Sequence, residues 1–234
     1  MSQKLCLITG VGEGTGASIA RRFANSGYQV VMLARNKQRL ARLESELPNA
    51  RSFAVDLENL DQLVEFCSTV KTEFGIPYVI VHNAVRATFE GFLDGKLDDL
   101  ERNFRVNTTS LFYLVRAFAP EMIKRGDGAI AVTGNTAAFR GVPNYALFSP
   151  TKAAQRNFTE ALARDLGPKG IHVSYFNIDA VIDVPWTRDR FHPDKPDDFF
   201  IKPTDIAEEV FRVAHQPRSA WSFDVEIRPF GEKW

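Results

Sequence analysis

The sequence predicts a doubly wound α/β domain: a parallel sheet of about seven strands with helices on both faces. Three observations lead there. Short apolar runs alternate with longer amphipathic stretches along almost the whole chain, the pattern of right-handed βαβ crossovers. A glycine-rich turn, Thr9-Gly10-Val11-Gly12-Glu13-Gly14-Thr15-Gly16, joins the first apolar run to the first amphipathic stretch. Finally, 234 residues with 44% hydrophobic content supply the core of one domain, residues 1–234, and no internal repeat divides them.

The elements follow in order. Residues 4–9 form a buried strand, and 16–25 a helix closed by Ser26-Gly27. Residues 29–34 are the second strand, with a helix over 38–47. Residues 51–55 are the third strand, with a helix over 60–74, and 78–82 are the fourth strand. A long amphipathic stretch, 97–124, is helical in one or two pieces. Residues 128–133 are the fifth strand, 151–166 a helix, and 172–178 the sixth strand. A late helix covers 204–214 after a Thr-Asp start, and a short strand covers 224–229. Ser149-Pro150 reads as an N-cap followed by proline in the first turn. The exception is 183–203, rich in proline and charge and carrying Trp186, Phe191, Phe199 and Phe200. Such an irregular segment reads as a substrate-side lid or a loop.

Composition narrows the function. Basic and acidic residues balance at 29 each, so no strong field draws nucleic acid or an anionic membrane. No run is long and apolar enough to span a bilayer, and the N-terminus lacks a signal pattern. The expected protein is soluble and cytoplasmic. The two cysteines, Cys6 and Cys67, lie in apolar surroundings and read as buried small hydrophobes, with no disulfide framework or metal site.

The glycine turn carries the first chemical signal. Glycines allow a tight turn and close backbone approach to a pyrophosphate, and the helix N-terminus that follows offers free N–H groups. The end of the second strand indicates which dinucleotide. An acidic residue there would bind a ribose 2′-hydroxyl; this chain has Ala34-Arg35, and an arginine fork suits a 2′-phosphate. NADP(H) is therefore favoured over NAD(H), unless Arg35 is an ordinary solvated residue at a helix start. Glu13 counts against the preference, because it adds negative charge nearby.

The spacing of Thr9, Gly10, Gly14 and Gly16 resembles the T-G-x-x-x-G-x-G fingerprint of the short-chain dehydrogenase/reductase family. Asp56-Leu57, Asn83-Ala84, Asn107 and Lys152 match further family segments in order. The resemblance implies a Rossmann-type fold. It implies cofactor contacts from Gly10, Gly14, Thr15, Gly16, Arg35, Asp56, Leu57, Asn83 and Lys152, and a homodimer or homotetramer. It also implies a reaction carried by a tyrosine, a lysine that lowers the tyrosine pKa and binds the nicotinamide ribose, a serine, and an asparagine holding a water chain.

The chain departs from that pattern at the reacting end. Phe148 stands at the tyrosine position, Asn135 at the serine position, and Val85 where the family has glycine. The run Asp179-Ala180-Val181-Ile182-Asp183-Val184 replaces the family's P-G-x-x-x-T. Phe148 can neither titrate nor hydrogen-bond, and losing general acid–base help costs about 10²- to 10⁴-fold in rate. The Asn135 amide either donates to a substrate oxygen or bonds its own backbone in a turn. Tyr145 is either a substitute proton donor or a wall of the substrate pocket. Asp179 and Asp183 are substrate contacts or turn residues, and His192 is a lid proton donor or a solvated histidine. Trp234 and Phe230 pack on their own domain or on a partner.

The expectation is an NADP(H)-dependent oxidoreductase for a small carbonyl or alcohol, with Asn107, Asn135, Lys152 and Tyr145 as its catalytic set. The alternative is a dinucleotide-binding protein without turnover.

Overall fold

A computed structural model describes residues 3–232, and of residues 190 and 191 the backbone only. Trp234 and the Phe191 side chain lie outside the described residues. The elements are β1 (Leu5–Thr9), α1 (Thr15–Asn25), β2 (Gln29–Ala34), α2 (Lys37–Glu46), β3 (Ala50–Ala54), α3 (Leu60–Glu73), β4 (Val79–His82), α4 (Leu97–Phe104), α5 (Ser110–Arg125), β5 (Gly128–Asn135), α6 (Ser149–Leu166), β6 (Ile171–Ile178), β7 (Val181–Ile182), α7 (Pro185–Phe191), β8 (Phe200–Ile201), α8 (Pro203–Ala214) and β9 (Asp224–Ile227).

Seven strands form one sheet in the order β3-β2-β1-β4-β5-β6-β9, every neighbouring pair parallel. Strand β1 pairs with β2 on one side (Leu5 opposite Gln29) and with β4 on the other (Cys6 opposite Val79). The chain reverses its direction of winding there, and the reversal opens a crevice beyond the carboxyl ends of β1 and β4.

Both sheet faces are covered, which explains the unbroken apolar runs of the strands. Along β1, Cys6 and Ile8 join the core shared with Ile19 and Phe23 of α1 and Ile206 and Val210 of α8. Leu5 and Leu7 join the opposite core, with Phe66 and Val70 of α3 and Leu114 and Phe118 of α5. Each such fully buried side chain contributes about 1.5–3 kcal/mol of transfer free energy. Free thiols Cys6 and Cys67 are buried among these residues, and burial pushes the Cys67 thiol up to about 12.

Three expectations need correction, and one left open is decided. Strand β5 runs two residues further, to Asn135, because the β5–β6 pairing continues through Gly134 opposite Asn177 and Asn135 opposite Ile178. Helix α6 starts at Ser149, so Phe148, not Ser149, is the N-cap, and Pro150 falls one position later than expected. Of the two forms open for 97–124, the chain takes the one in two pieces, with a π-helical turn, Arg105–Thr109, between α4 and α5. Residues 183–203 are not irregular: α7 forms behind Val184 with Pro185 in its first turn, and β7 pairs with β8 (Val181 opposite Phe200). Proline fixes φ for a helix start as readily as it breaks a helix interior.

Close approach between β5 and β6 yields a first test. A Cβ on Gly134 would sit 1.9 Å from Tyr175 Oη and 2.0 Å from its Cζ. Gly134→Ala is expected to cost about 1–3 kcal/mol in urea unfolding, and Tyr175→Phe in the same chain should recover part of the loss.

Candidate cofactor and reaction site

The crevice begins where β1 ends. Gly10 has φ +70°, and a Cβ there would lie 2.5 Å from Ala84 Cα; a Cβ on Gly16 would meet the Gly10 carbonyl oxygen at 2.5 Å. No side chain could occupy either place, so the turn hugs the start of α1. The α1 N-cap is Gly14, which offers no capping side chain, and the first-turn N–H groups remain available to an anion. Beside them the Thr15 hydroxyl is buried without a hydrogen-bond partner. An orphaned hydroxyl at a helix N-terminus is the chemistry a pyrophosphate would satisfy.

A cavity of about 620 Å³ extends from this turn, lined by Gly10, Gly14, Thr15, Gly16, Arg35, Asp56, Leu57 and Asn83 together with Arg39, Arg86, Val184 and Trp186. Asp56 Oδ1 accepts the Glu58 N–H at 3.0 Å, bending the chain behind β3. Arg35 is exposed, and Asn36 caps α2 by accepting the Arg39 N–H at 2.9 Å. Glu13 pairs with Arg39 at 3.2 Å and with Arg42 at 3.5 Å. The negative charge that counted against a 2′-phosphate is thus matched by two guanidinium groups.

Asn83 works as a strut. Its Nδ2 donates to the Gly10 carbonyl at 2.9 Å, and its Oδ1 accepts from Thr133 Oγ1 at 3.0 Å. These two bonds hold the side chain between the strand ends, with one Nδ2 hydrogen still available to a bound group.

The reaction end is built around the π-turn. Asn107 Oδ1 accepts the Arg86 N–H at 2.9 Å, while its Nδ2 donates to the Arg86 carbonyl and to Thr151 Oγ1, each at 2.8 Å. Asn107 therefore fixes the chain segment that carries Arg86 into the cavity wall. Lys152 is 1% exposed and does not line the cavity. Its Nζ donates to the Thr133 carbonyl at 3.2 Å and to Gln155 Oε1. Burial lowers its pKa to about 7. Nearby, His82 Nδ1 lies 3.1 Å from Thr9 Oγ1. Burial first, and the Lys152 charge second, hold its pKa down at about 3.

Asn135 and Tyr145 stand apart from the cavity. Asn135 Oδ1 accepts the Ala137 N–H at 3.2 Å and caps a short turn, which leaves its amide NH₂ as donor. Tyr145 ends a 3₁₀ turn (Pro143–Tyr145) before α6 and lines a second hollow of about 280 Å³ with Phe139, Arg140 and Ser149. Its ring meets Phe89 at 5.0 Å and Phe148 at 5.9 Å between centroids, and Phe148 meets Phe89 at 5.6 Å. Phe148 itself is 2% exposed.

The other candidates are engaged by neighbours. Asp183 accepts from Arg188 at 2.6 and 3.0 Å, and that hydrogen-bonded pair lowers its pKa. Asp179 lies 3.8 Å from Arg140 and 3.7 Å from Arg228. His192 rests against Phe199. Sequence reasoning missed Arg39, Arg86 and Gln155. Of these only Gln155 had a signal, its i+3 spacing from Lys152 on one helix.

The profile of the family described as "short chain dehydrogenase" matches residues 4–191. An uncharacterized oxidoreductase of Staphylococcus saprophyticus is 26% identical over 234 residues, 98% of each chain. A metagenomic short-chain oxidoreductase solved in complex with NADP superimposes with a TM-score of 0.85 at 27% identity, covering 98% of both chains. Serine dehydrogenase from Escherichia coli does so with a TM-score of 0.84 at 26% identity, covering 98% of this chain and 100% of its own. With the family profile covering most of the sequence, and the sheet order and glycine turn alike in place, the chain belongs to the short chain dehydrogenase family of oxidoreductases.

Proposed function

We propose that the chain is an NADP(H)-dependent oxidoreductase for a small carbonyl or alcohol substrate, strong in cofactor binding and weakened in proton transfer. The observation that carries this is the cavity wall that unites the glycine turn, the orphaned Thr15 hydroxyl and the exposed Arg35. The α1 N-terminus, Gly10, Gly14, Gly16 and Thr15 would hold the pyrophosphate, Asp56 and Leu57 the adenine, and Arg35 with Arg39 a 2′-phosphate. Lys152, when charged, would offer a bound ribose the one N–H left over from its two hydrogen bonds. When bound, the nicotinamide supplies hydride chemistry, which is the cofactor's own.

The assignment of Phe148 to the family's tyrosine position and Asn135 to its serine position belongs to this reading. Asn135 would offer its NH₂ to the substrate oxygen. Tyr145, set in an aromatic cluster, would wall the substrate pocket, and the proton would come from water or its hydroxyl. Exposed Phe112 and Tyr113 on α5 support pairing of this face in a homodimer or homotetramer. No described helix is long and apolar enough to cross a membrane.

The test titrates NADPH and NADH against tryptophan fluorescence and then screens carbonyl substrates with each. Absence of NADPH binding sinks the assignment; binding without turnover moves the chain to a non-catalytic binder. Turnover that survives Tyr145→Phe removes that hydroxyl from the reaction. Glu13→Gln frees Arg39 for the 2′-phosphate and should tighten NADPH about two- to fivefold, the scale of an exposed ion pair, with NADH unmoved. An equal gain for both cofactors would refute the role given to Arg39.

A further inference from the structure

One buried amide beside the reaction end takes no part in the proposed reaction. Gln155 is 0% exposed and lies one helical turn from Lys152 on α6. Its Oε1 accepts from Lys152 Nζ, and its Nε2 donates to the Asn107 carbonyl at 2.5 Å. The carbonyl is available because the π-turn over Arg105–Thr109 interrupts regular helix bonding there. The amide cannot be turned over. The reverse orientation would set Oε1 against the Asn107 carbonyl, two acceptors face to face, and NH₂ against the lysine donor.

An unbroken string results: Thr133 carbonyl, Lys152, Gln155, Asn107 carbonyl, with direct hydrogen bonds at each step. Lysine 152 and Gln155 are both sealed from solvent. Water relays protons because it donates and accepts through one atom. A carboxamide donates through nitrogen and accepts through oxygen, and handing a proton across it requires an imidic-acid tautomer. Both N–H bonds of a neutral lysine are consumed in the string, and only the charged form has a third to offer a bound group.

We propose that Gln155 is a positioning residue that bridges Lys152 to the Asn107 carbonyl and closes the route by which the lysine would exchange protons with solvent. The inference rests on Lys152 belonging to the reaction site. It adds to the Phe148 departure: the phenol is missing, and the path that would recharge a phenol is blocked as well. Phe148→Tyr alone then accelerates a single turnover, and sustained turnover takes a second substitution, at Gln155, to let the phenol recharge.

The experiment uses the full chain with nitrogen-15 lysine. Exchange of the Lys152 Nζ protons with water is followed by NMR at about pH 6, where the amine is charged, in wild type and in Gln155→Ala. Opening the string should speed exchange about tenfold or more. Gln155→Ser leaves room for water and a hydroxyl that donates and accepts through one atom; it carries the test if Gln155→Ala does not fold. The kinetic arm compares Phe148→Tyr with Phe148→Tyr/Gln155→Ala in NADPH-driven ketone reduction. The double variant should turn over about tenfold faster, whereas a merely structural Gln155 would make it slower. Equal exchange rates, or a folded double variant slower than Phe148→Tyr, overturn the proposal. NADPH affinity, measured on each protein, separates this outcome from failure of the cofactor assignment.

Discussion

In a single turnover, Phe148→Tyr raises the rate of carbonyl reduction about 10²- to 10⁴-fold, the range general acid catalysis supplies. The reason is local. Phe148 sits at the N-cap of α6, and its carbonyl accepts from the Thr151 hydroxyl at 2.7 Å. Thr151 in turn is held by Asn107, so the backbone that would carry a phenol is anchored to the same asparagine that orders the cavity wall. Its ring is wedged between Phe89 and Tyr145, contacts a tyrosine ring can keep. Single-turnover measurement with saturating NADPH isolates the chemical step from release. A gain in kcat/KM that comes from KM alone would mean the hydroxyl binds substrate and moves no proton.

The second large effect is on stability, through Lys152. Its folded pKa of about 7 lies below the ordinary lysine value of about 10.4. Between the two, the unfolded chain binds the proton and the folded chain does not, so stability rises with pH across that window and is flat below it. Over pH 7 to 9 the slope integrates to about 2 kcal/mol from this one group. Lys152→Met abolishes that slope. The measurement is the difference in urea-unfolding free energy between wild type and Lys152→Met at several pH values. Taking the difference matters, because buried Cys6, Cys67, Tyr28 and Tyr175 all have raised values and pull stability down at the alkaline end in both proteins. A difference that stays constant from pH 7 to 9 would place Lys152 in a wetter site than the structure gives it. On the acid side His82, held at about 3, has the same sign: the fold loses stability as pH falls from about 6.5 toward 3.

Much of the fold could be read from the chain, because its signals are local. Alternation of apolar runs and amphipathic stretches located the strands of the main sheet, and Gly10 to Gly16 marked the crevice at the end of β1. Boundaries shifted where pairing or capping overrode local preference: β5 gained Gly134 and Asn135 from β6, and α6 began at Ser149. The prolines of 183–203 concealed α7, since the residue that breaks a helix interior also opens a first turn. At the site, Gly10, Gly14, Thr15, Gly16, Arg35, Asp56, Leu57 and Asn83 were legible as cavity lining because they are contiguous with strand ends. Gln155 was not. Its partner carbonyl lies 48 positions away, and it becomes an acceptor only through a π-turn that apolar periodicity does not announce. Arg39 likewise gained meaning only from the Glu13 carboxylate that faces it.

The Asn83 strut carries a thermodynamic consequence. One primary amide ties the Gly10 carbonyl of the first strand's exit to the Thr133 hydroxyl of the fifth, and Asn83 itself leaves the fourth. The separation of three strand ends is therefore set before any ligand arrives. A dinucleotide entering such a gap finds its width already chosen, so little of its binding free energy is consumed in ordering the protein. Affinity there is governed by how well the ligand fits a fixed span, as a key is limited by its keyway.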